Sequence, residues 1–277
     1  MVRRVLIPVA LGVAAVSGAC SSRFGAPDPA TTQGAPVLRL WKLLLFVAVA
    51  LGVVVVGLIL WSLVRYRLRA SGRAGGREAS TVSENVPLEL FYTAVPLAIV
   101  MAIFGLALVA QRDVTRLVAE PDLRIEVTGF QWGWRFRYLT EGITIVGTSN
   151  REPTLVLPVD ATARLTLVSN DVVHSFFVPN FLEKRDLIPG VENRIDITPS
   201  RTGRFPGVCA EFCGLDHTHM TFVVEVVEPQ QFENFLTEQR ETGTVPDEND
   251  QGGEGEPGSQ AAPARRDGGV SVGVSVG

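Results

Sequence analysis

The chain has 277 residues, of which 46% are hydrophobic and 19% are charged, and its formal net charge is −4. This apolar fraction is high for a soluble protein and predicts membrane-spanning segments. The three cysteines and three histidines argue against a disulfide framework, because all but Cys20 and His174 fall within an eleven-residue stretch. Such a distribution is typical of a single metal site.

The charges are divided unevenly along the chain. Residues 1–112 hold 11 Lys/Arg and 4 Asp/Glu, whereas residues 113–242 hold 12 and 19. An acidic second part would suit a cationic protein partner, although a merely solvated acidic surface gives the same count. We expect no nucleic-acid partner.

Residues 1–19 are predicted to be an export signal. Basic residues are followed by an apolar stretch over 5–16 and then by small residues directly before Cys20. This order resembles a bacterial lipoprotein signal, in which Cys20 would become the acylated first residue. Such signals usually carry leucine where Ser17 stands, so an ordinary signal peptide is the alternative. Residues 21–36 are rich in Pro and Gly and are predicted to be a linker.

Two uncharged runs predict transmembrane helices over 38–66 and 88–111. The first run contains 22 residues without a charge, which at ~1.5 Å per residue is enough to cross a ~30 Å hydrocarbon core. Arginines cluster between the runs, so the positive-inside rule predicts a cytoplasmic loop over 67–87. Both chain ends then lie outside a plasma membrane that the chain crosses twice.

Residues 120–240 are predicted to form an extracytoplasmic all-β domain. Short runs of alternating or continuous apolar residues are separated by Pro, Gly and Asn, which is typical of a sandwich or small barrel. A short helix over 230–240 is predicted to close the domain. Residues 243–277 are rich in Gly, Pro, Ser and Glu, which predicts disorder, and they contain no Cys-x-x-Cys-His motif for haem attachment.

One stretch concentrates the residue types that bind soft metals. Its spacing is Cys-x3-Cys-x3-His-x2-Met, and a further histidine, His174, lies upstream. Thiolate, thioether and imidazole ligands select copper. A single blue-copper centre needs only one cysteine, so a second cysteine on the same loop would allow two thiolates to bridge two copper ions. The stretch is Cys209-Ala-Glu-Phe-Cys213-Gly-Leu-Asp-His217-Thr-His-Met220.

Three other interpretations of these residues compete with copper. Zinc accepts two cysteines and two histidines, but the distant His174 does not fit the usual spacing and Met220 has no role in such a site. A disulfide between Cys209 and Cys213 is possible in an oxidising compartment, although it would leave the histidines unexplained. Met220 could also serve only in core packing.

The stretch resembles the copper loop of cytochrome c oxidase subunit II. The family pattern is Cys-x-Glu-x-Cys-Gly-x-x-His-x-x-Met, and this chain matches it without a gap. The resemblance implies a two-helix transmembrane hairpin followed by an all-β, cupredoxin-like Greek-key barrel that carries a binuclear copper centre, called CuA. The implied ligands of the two copper ions are His174, Cys209, the carbonyl of Glu211, Cys213, His217 and Met220. His219 falls outside the family spacing, and we expect it to lie on the surface or behind the ligands.

Other positions acquire roles from the same resemblance. Trp132 matches the surface tryptophan through which electrons enter, whereas Trp134 is expected in the core. Glu89 matches a carboxylate at the entrance of a proton pathway, although a solvated Glu89 is the alternative. The side chain of Glu211 would help to bind magnesium at the contact with the catalytic subunit. The segment 184–190 matches a turn near the haem propionates of that subunit.

The resemblance implies that this chain is the electron-entry subunit of a haem–copper oxidase. It would accept electrons from a soluble or membrane-bound cytochrome c and pass them to haem in subunit I. The complex, which includes subunit III, would reduce oxygen to water and translocate protons. The chain itself would bind no haem and would contain no oxygen-reducing site. The alternative is a membrane-anchored copper chaperone or sensor without an oxidase partner.

Overall fold

The computed structural model describes residues 25–70 and 84–242. The predicted signal peptide, Cys20, most of the predicted cytoplasmic loop and the predicted disordered tail lie outside the described residues. The described part contains two long apolar helices and a β domain, followed by a short helix. This architecture confirms the predicted fold class.

The two long helices are α1, Gly34–Ala70, and α2, Val86–Thr115. Both are long and apolar enough to cross a membrane, and most of their described apolar side chains are exposed. Helix α1 begins four residues before the predicted start and lies partly within the predicted linker. The cause is local, because nothing in the uncharged sequence after Gly34 opposes a helix except Pro36, which is tolerated in a first turn.

The β domain consists of two five-stranded sheets, with strand orders β3-β2-β1-β5-β8 and β4-β10-β9-β6-β7. Most neighbouring strands are antiparallel, but β1 pairs with β5 and β4 pairs with β10 in parallel. The strands are β1 Leu123–Phe130, β2 Gly133–Tyr138, β3 Ile143–Thr148, β4 Thr154–Pro158, β5 Ala163–Ser169, β6 His174–Val178, β7 Glu183–Leu187, β8 Asn193–Ile197, β9 Gly203–Cys209 and β10 Thr221–Val227. Helix α3, Pro229–Thr242, follows the last strand.

The core lies between the two sheets because alternate residues of the strands face inward. In β10, for example, Phe222, Val224 and Val226 are buried while the residues between them are half-buried. An aromatic cluster fills the middle of the core: Phe222 stacks on Phe176 at 4.7 Å and meets the edge of Trp134 at 5.0 Å between ring centroids. This cluster supports the end of the sandwich at which β6 begins and β9 ends.

Residues 28–33, here called the N-terminal strap, bind to the β domain directly before α1. Ala30 and Thr31 are buried, although this part of the sequence is predicted to be a linker. The Ala30 N–H donates to the carbonyl of Asn180 at 2.7 Å, and Thr32 donates to Thr198 at 3.0 Å. A Cβ at Gly34 would lie 2.8 Å from the carbonyl oxygen of Phe181, so the first residue of α1, directly after the strap, approaches the domain too closely for a larger residue.

The segment after α2 is also fixed to the β domain. The backbone N–H of Val118 donates to the carboxylate of Asp196 at 2.7 Å, and Arg164 pairs with both oxygens of the same carboxylate at 2.8 Å. The side chain of Asp196 is 1% exposed. The domain-side ends of both long helices are therefore attached to β8 or to the residue directly after it.

Candidate metal centre

The predicted metal ligands meet at one end of the sandwich. His174 opens β6 and Cys209 closes β9, and these strands are neighbours with Phe176 opposite Cys209. The loop that follows Cys209 returns to β10, and its two ends are joined by a hydrogen bond of 3.0 Å from the Cys209 N–H to the Met220 carbonyl. The loop therefore begins and ends on two paired strands, β9 and β10.

The two thiols lie side by side. The distance between the sulfur atoms of Cys209 and Cys213 is 3.9 Å, far beyond the ~2.05 Å of a disulfide bond. Both cysteines are free and buried. The backbone carbonyl of Glu211 lies 3.3 Å from Cys209 Sγ, so it faces the same space.

The imidazoles and the thioether surround the two sulfur atoms. His174 Nδ1 lies 3.9 Å from Cys209 Sγ, and His217 Nδ1 lies 3.5 Å from Cys213 Sγ. The sulfur of Met220 lies 3.7 Å from Cys213 Sγ. All six predicted ligand groups thus form one cluster, within which a ring nitrogen of His174 and the sulfur atoms of Cys209 and Cys213 lie within 4.8 Å of one another.

Asp171 sets the orientation of the buried His174 ring. Its carboxylate lies 2.7 Å from His174 Nε2, which makes Nε2 the donor and leaves the lone pair of Nδ1 pointing at the thiols. The same carboxylate accepts hydrogen bonds from the backbone N–H groups of Gln131 and Val172. The sequence predicts His174 as a ligand, but the spacing between Asp171 and His174 does not by itself determine that their side chains meet.

The two thiols differ in their readiness to ionise. Burial opposes ionisation of Cys209, but interactions with the His174 ring and with the backbone of Glu211 and Ser175 lower its pKa to about 7. Burial and the neighbouring Cys209 charge together raise the pKa of Cys213 to about 12. Two adjacent thiolates therefore require a compensating cation. A soft metal ion fits this need and the donor set of sulfur, nitrogen and one carbonyl.

Met220 is 1% exposed and lies within the core as well as beside Cys213. Packing and contact with the cluster are thus both features of this residue. His219 is exposed and lies in a one-turn 3₁₀ helix, His217–His219, where its Nδ1 lies 3.4 Å from the Thr218 hydroxyl. It does not join the cluster.

Trp132 connects the cluster to the surface. Its side chain is half-buried, and Nε1 donates to the carbonyl of Cys213 at 3.2 Å. The side-chain amide of Gln131 donates to the same carbonyl at 2.7 Å, a contact for which the sequence carries no signal. Gly214 has φ +120°, and a Cβ there would lie 3.0 Å from the Trp132 ring. Trp134, in contrast, is fully buried, as predicted.

The carboxylate of Glu211 points away from the thiols and pairs with Lys184 Nζ at 2.7 Å. Asp186 lies 4.0 Å from the same ammonium group and accepts a hydrogen bond of 2.8 Å from the buried Ser175 hydroxyl. The predicted turn over 184–190 therefore lies directly beside the copper loop.

Glu89 is exposed at the start of α2, remote in the chain from the cluster. It shares in capping this helix: Asn85 accepts the N–H of Leu88 at 3.2 Å, while Glu89 accepts the N–H of Asn85 at 3.2 Å. This exchange satisfies two donors at the helix start. Capping is thus one role of Glu89 in the structure.

Comparisons with known proteins identify the family of this chain. A family model described as cytochrome c oxidase subunit II, periplasmic domain, matches residues 141–227. The chain is 36% identical to the probable cytochrome c oxidase subunit 2 of Streptomyces coelicolor, over 81% of this chain and 82% of that protein. It is 30% identical to cytochrome c oxidase subunit 2 of Mycobacterium tuberculosis, over 84% and 81% respectively.

A solved structure of the periplasmic domain of subunit II of cytochrome oxidase from Bradyrhizobium japonicum is 32% identical. It covers 46% of this chain and 99% of that chain, with a TM-score of 0.42. The similarity to the full-length relatives extends over more than two thirds of both chains. The chain therefore belongs to the cytochrome c oxidase subunit II family and is a subunit of a haem–copper oxidase.

Proposed function

We propose that this chain is the electron-entry subunit of its oxidase and that it holds two copper ions. Family membership implies copper, and the cluster around His174, Cys209 and Cys213 could hold a metal. The observation that carries the proposal is the convergence of six soft or neutral donor groups on one buried space. When bound there, a copper pair supplies a carrier that accepts and releases one electron at a time.

The residues of the cluster have separate tasks in this proposal. Cys209 and Cys213 would hold the ions as thiolates, and His174 and His217 would supply the imidazole ligands. Met220 and the carbonyl of Glu211 would be the weak ligands. Asp171 holds the His174 ring in place, and the rigid aromatic core beneath the loop limits movement of these groups.

Electrons enter near Trp132 from a cytochrome c. The hydrogen bond from its indole to the Cys213 carbonyl supports this role, because it joins a partly exposed ring to a residue of the cluster. The acidic balance of residues 113–242 suits a basic donor, whose charges would affect the association rate.

The haem-bearing subunit I docks on the apolar tip of the copper loop. Phe212 and Leu215 are 82% and 88% exposed, which is unusual for large apolar residues beside a buried site. Lys184 and Asp186 lie beside this tip and would contact the same subunit. Magnesium could bind to the Glu211 carboxylate only with ligands from that partner, because Mg²⁺ requires octahedral oxygen coordination and Lys184 now occupies the carboxylate.

The chain spans the bacterial cell membrane twice. Two apolar helices indicate membrane anchoring, and the β domain corresponds to a periplasmic domain of the family, on the extracytoplasmic side. Glu89 then lies at the cytoplasmic end of α2, where it would stand at the entrance of a proton pathway. We also propose that Cys20 is acylated after cleavage of the signal peptide.

The decisive experiment is copper loading of the full chain in detergent. A purple colour and a seven-line electron paramagnetic resonance spectrum are expected from an electron shared by two copper nuclei. One zinc ion per chain without colour would contradict the proposal. Stopped-flow mixing with reduced cytochrome c then separates the electron carrier from a copper chaperone or sensor, since only the carrier exchanges electrons rapidly.

A further inference from the structure

An open groove separates the two long helices near their domain-side ends. It encloses about 200 Å³ and is open along one side. Apolar side chains line its length, and two charged side chains lie at its rim. The lining residues are Pro36, Arg39, Leu40 and Leu43 from α1, and Leu106, Val109, Ala110 and Asp113 from α2.

The attachments of the β domain define the position of the groove. The strap ends directly before the first residue of α1, and Val118 lies three residues after the last residue of α2. Both are bound to the extracytoplasmic domain, so the groove opens at the outer membrane surface. Seven residues separate Asp113 from Leu106, which corresponds to ~10 Å along a helix. The groove thus extends from the level of lipid headgroups into the level of acyl chains.

The rim carries one charge of each sign. Arg39 and Asp113 are both exposed, and among the described residues they form no ion pair with each other. A zwitterionic headgroup complements this arrangement, with its phosphate at the guanidinium and its ammonium at the carboxylate. A purely anionic headgroup would meet repulsion from Asp113. A helix of another subunit seated in the groove would desolvate both charges, at a cost that only ideal pairing offsets.

We infer that this groove binds one phospholipid with an ethanolamine headgroup. Its phosphate pairs with Arg39, its ammonium group pairs with Asp113, and an acyl chain lies along Leu43 and Leu106. This inference rests on the proposed membrane-spanning hairpin, but not on the copper centre. The bound lipid would fill the space between the helices just below the β domain.

Native mass spectrometry of the full chain, released from nanodiscs of equal phosphatidylethanolamine and phosphatidylglycerol, tests the inference. The unaltered chain should retain one phosphatidylethanolamine in preference to phosphatidylglycerol. Asp113→Asn should lower this preference about fivefold, the size expected for one charge at headgroup level. Arg39→Gln should lower retention of both lipids, because both carry a phosphate.

Two further variants separate a specific site from a general effect of charge or shape. Arg112→Gln removes a charge next to Asp113 but outside the groove, so lipid retention should not change. Ala110→Phe should fill the groove and abolish retention, whereas Ala102→Phe on the same helix should not.

Three results would overturn the inference: equal retention of both lipids in every variant, retention of a second protein chain instead of a lipid, and no retained lipid at all. The copper spectrum of each variant provides an independent reading. An unchanged spectrum with lost lipid retention shows that the fold and the proposed copper site persist. Absence of the copper signal from the unaltered chain, together with normal lipid retention, would contradict the proposed function but not the lipid site.

Discussion

The indole Nε1 of Trp132 donates a 3.2 Å hydrogen bond to the carbonyl oxygen of Cys213. No other described tryptophan contacts the copper loop from the surface, since the indole of Trp134 reaches the Met220 carbonyl at 3.4 Å from inside the core. The two tryptophans of one short segment therefore have different surroundings, and substitutions at them should have different effects.

Trp132→Phe keeps an aromatic ring but removes the hydrogen bond to Cys213. We expect slower electron exchange with reduced cytochrome c, an unchanged copper spectrum and a stability loss of about 1 kcal/mol. Stopped-flow kinetics and chemical unfolding of the copper-loaded chain measure these effects. Trp134→Phe is the matched control: it should lower stability more, because it opens a cavity in the core. Unchanged electron exchange in Trp132→Phe would argue against entry at this residue.

Asp171→Asn should weaken metal binding. The neutral amide loses the charged hydrogen bond that the Asp171 carboxylate accepts from the Nε2–H of His174. Removal of such a partner typically costs 10–100-fold in metal affinity. Competition with a copper chelator measures the change. Asp216→Asn removes the same charge from the copper loop, where Asp216 makes no capping hydrogen bond, and should leave the affinity within about twofold of the original. Equal losses in both variants would indicate a general charge effect.

Met220→Leu should alter the copper spectrum and reduction potential while the fold persists. Leucine and methionine have similar volumes, so the stability cost should be below about 1.5 kcal/mol even at this buried position. Optical and paramagnetic spectra report the loss of the thioether, and unfolding curves report the packing. A native spectrum in this variant would show that Met220 serves only in the core.

Asp196→Ala should destabilise the β domain by about 3 kcal/mol. It leaves Arg164 without its bidentate partner and the Val118 N–H without its acceptor, at a carboxylate that is only 1% exposed. Glu126→Ala, which breaks the more exposed pair with Arg137, should cost no more than about 1 kcal/mol. Guanidinium unfolding of both variants in the full chain tests the contrast. Similar small losses would mean that the buried pair contributes little.

Glu89 has two proposed roles that separate by substitution. Glu89→Gln keeps an oxygen that can accept the Asn85 N–H, so the start of α2 should be preserved. If Glu89 admits protons, this variant should slow turnover of the assembled oxidase without changing copper content. Glu89→Ala should in addition loosen the helix start, by about 1 kcal/mol. Normal turnover in Glu89→Gln would leave capping as its only role.

The copper loop could be predicted because its ligands are close in sequence. Four of the six groups that converge in the structure are side chains from a twelve-residue run with a specific spacing. His174 lies 35 residues before Cys209, and it is included because it is one of only three histidines in the chain and completes the soft ligand set. Asp171 lies three residues before His174, but its role depends on the orientation of the His174 ring, which sequence spacing alone does not determine.

Other features depend on contacts between distant parts of the chain. The strap has the composition of a linker, yet its backbone groups bind partners about 150 residues away, at Asn180 and Thr198. The contact of Gln131 with Cys213 is similarly non-local. Alternating hydrophobicity predicts strands, but it does not reveal that β1 and β5 run parallel.

The strap has a practical consequence for soluble fragments of this protein. A fragment that starts after α2 would lack residues 28–33, and the Asn180 carbonyl and the Thr198 N–H would then turn to water for their hydrogen bonds. The surface now covered by Ala30 and Thr31 would be uncovered. Such a fragment would be less stable than the same domain with the strap and the two helices. A more stable soluble fragment would include the strap, connected to the start of the β domain by a short hydrophilic linker that replaces the two helices.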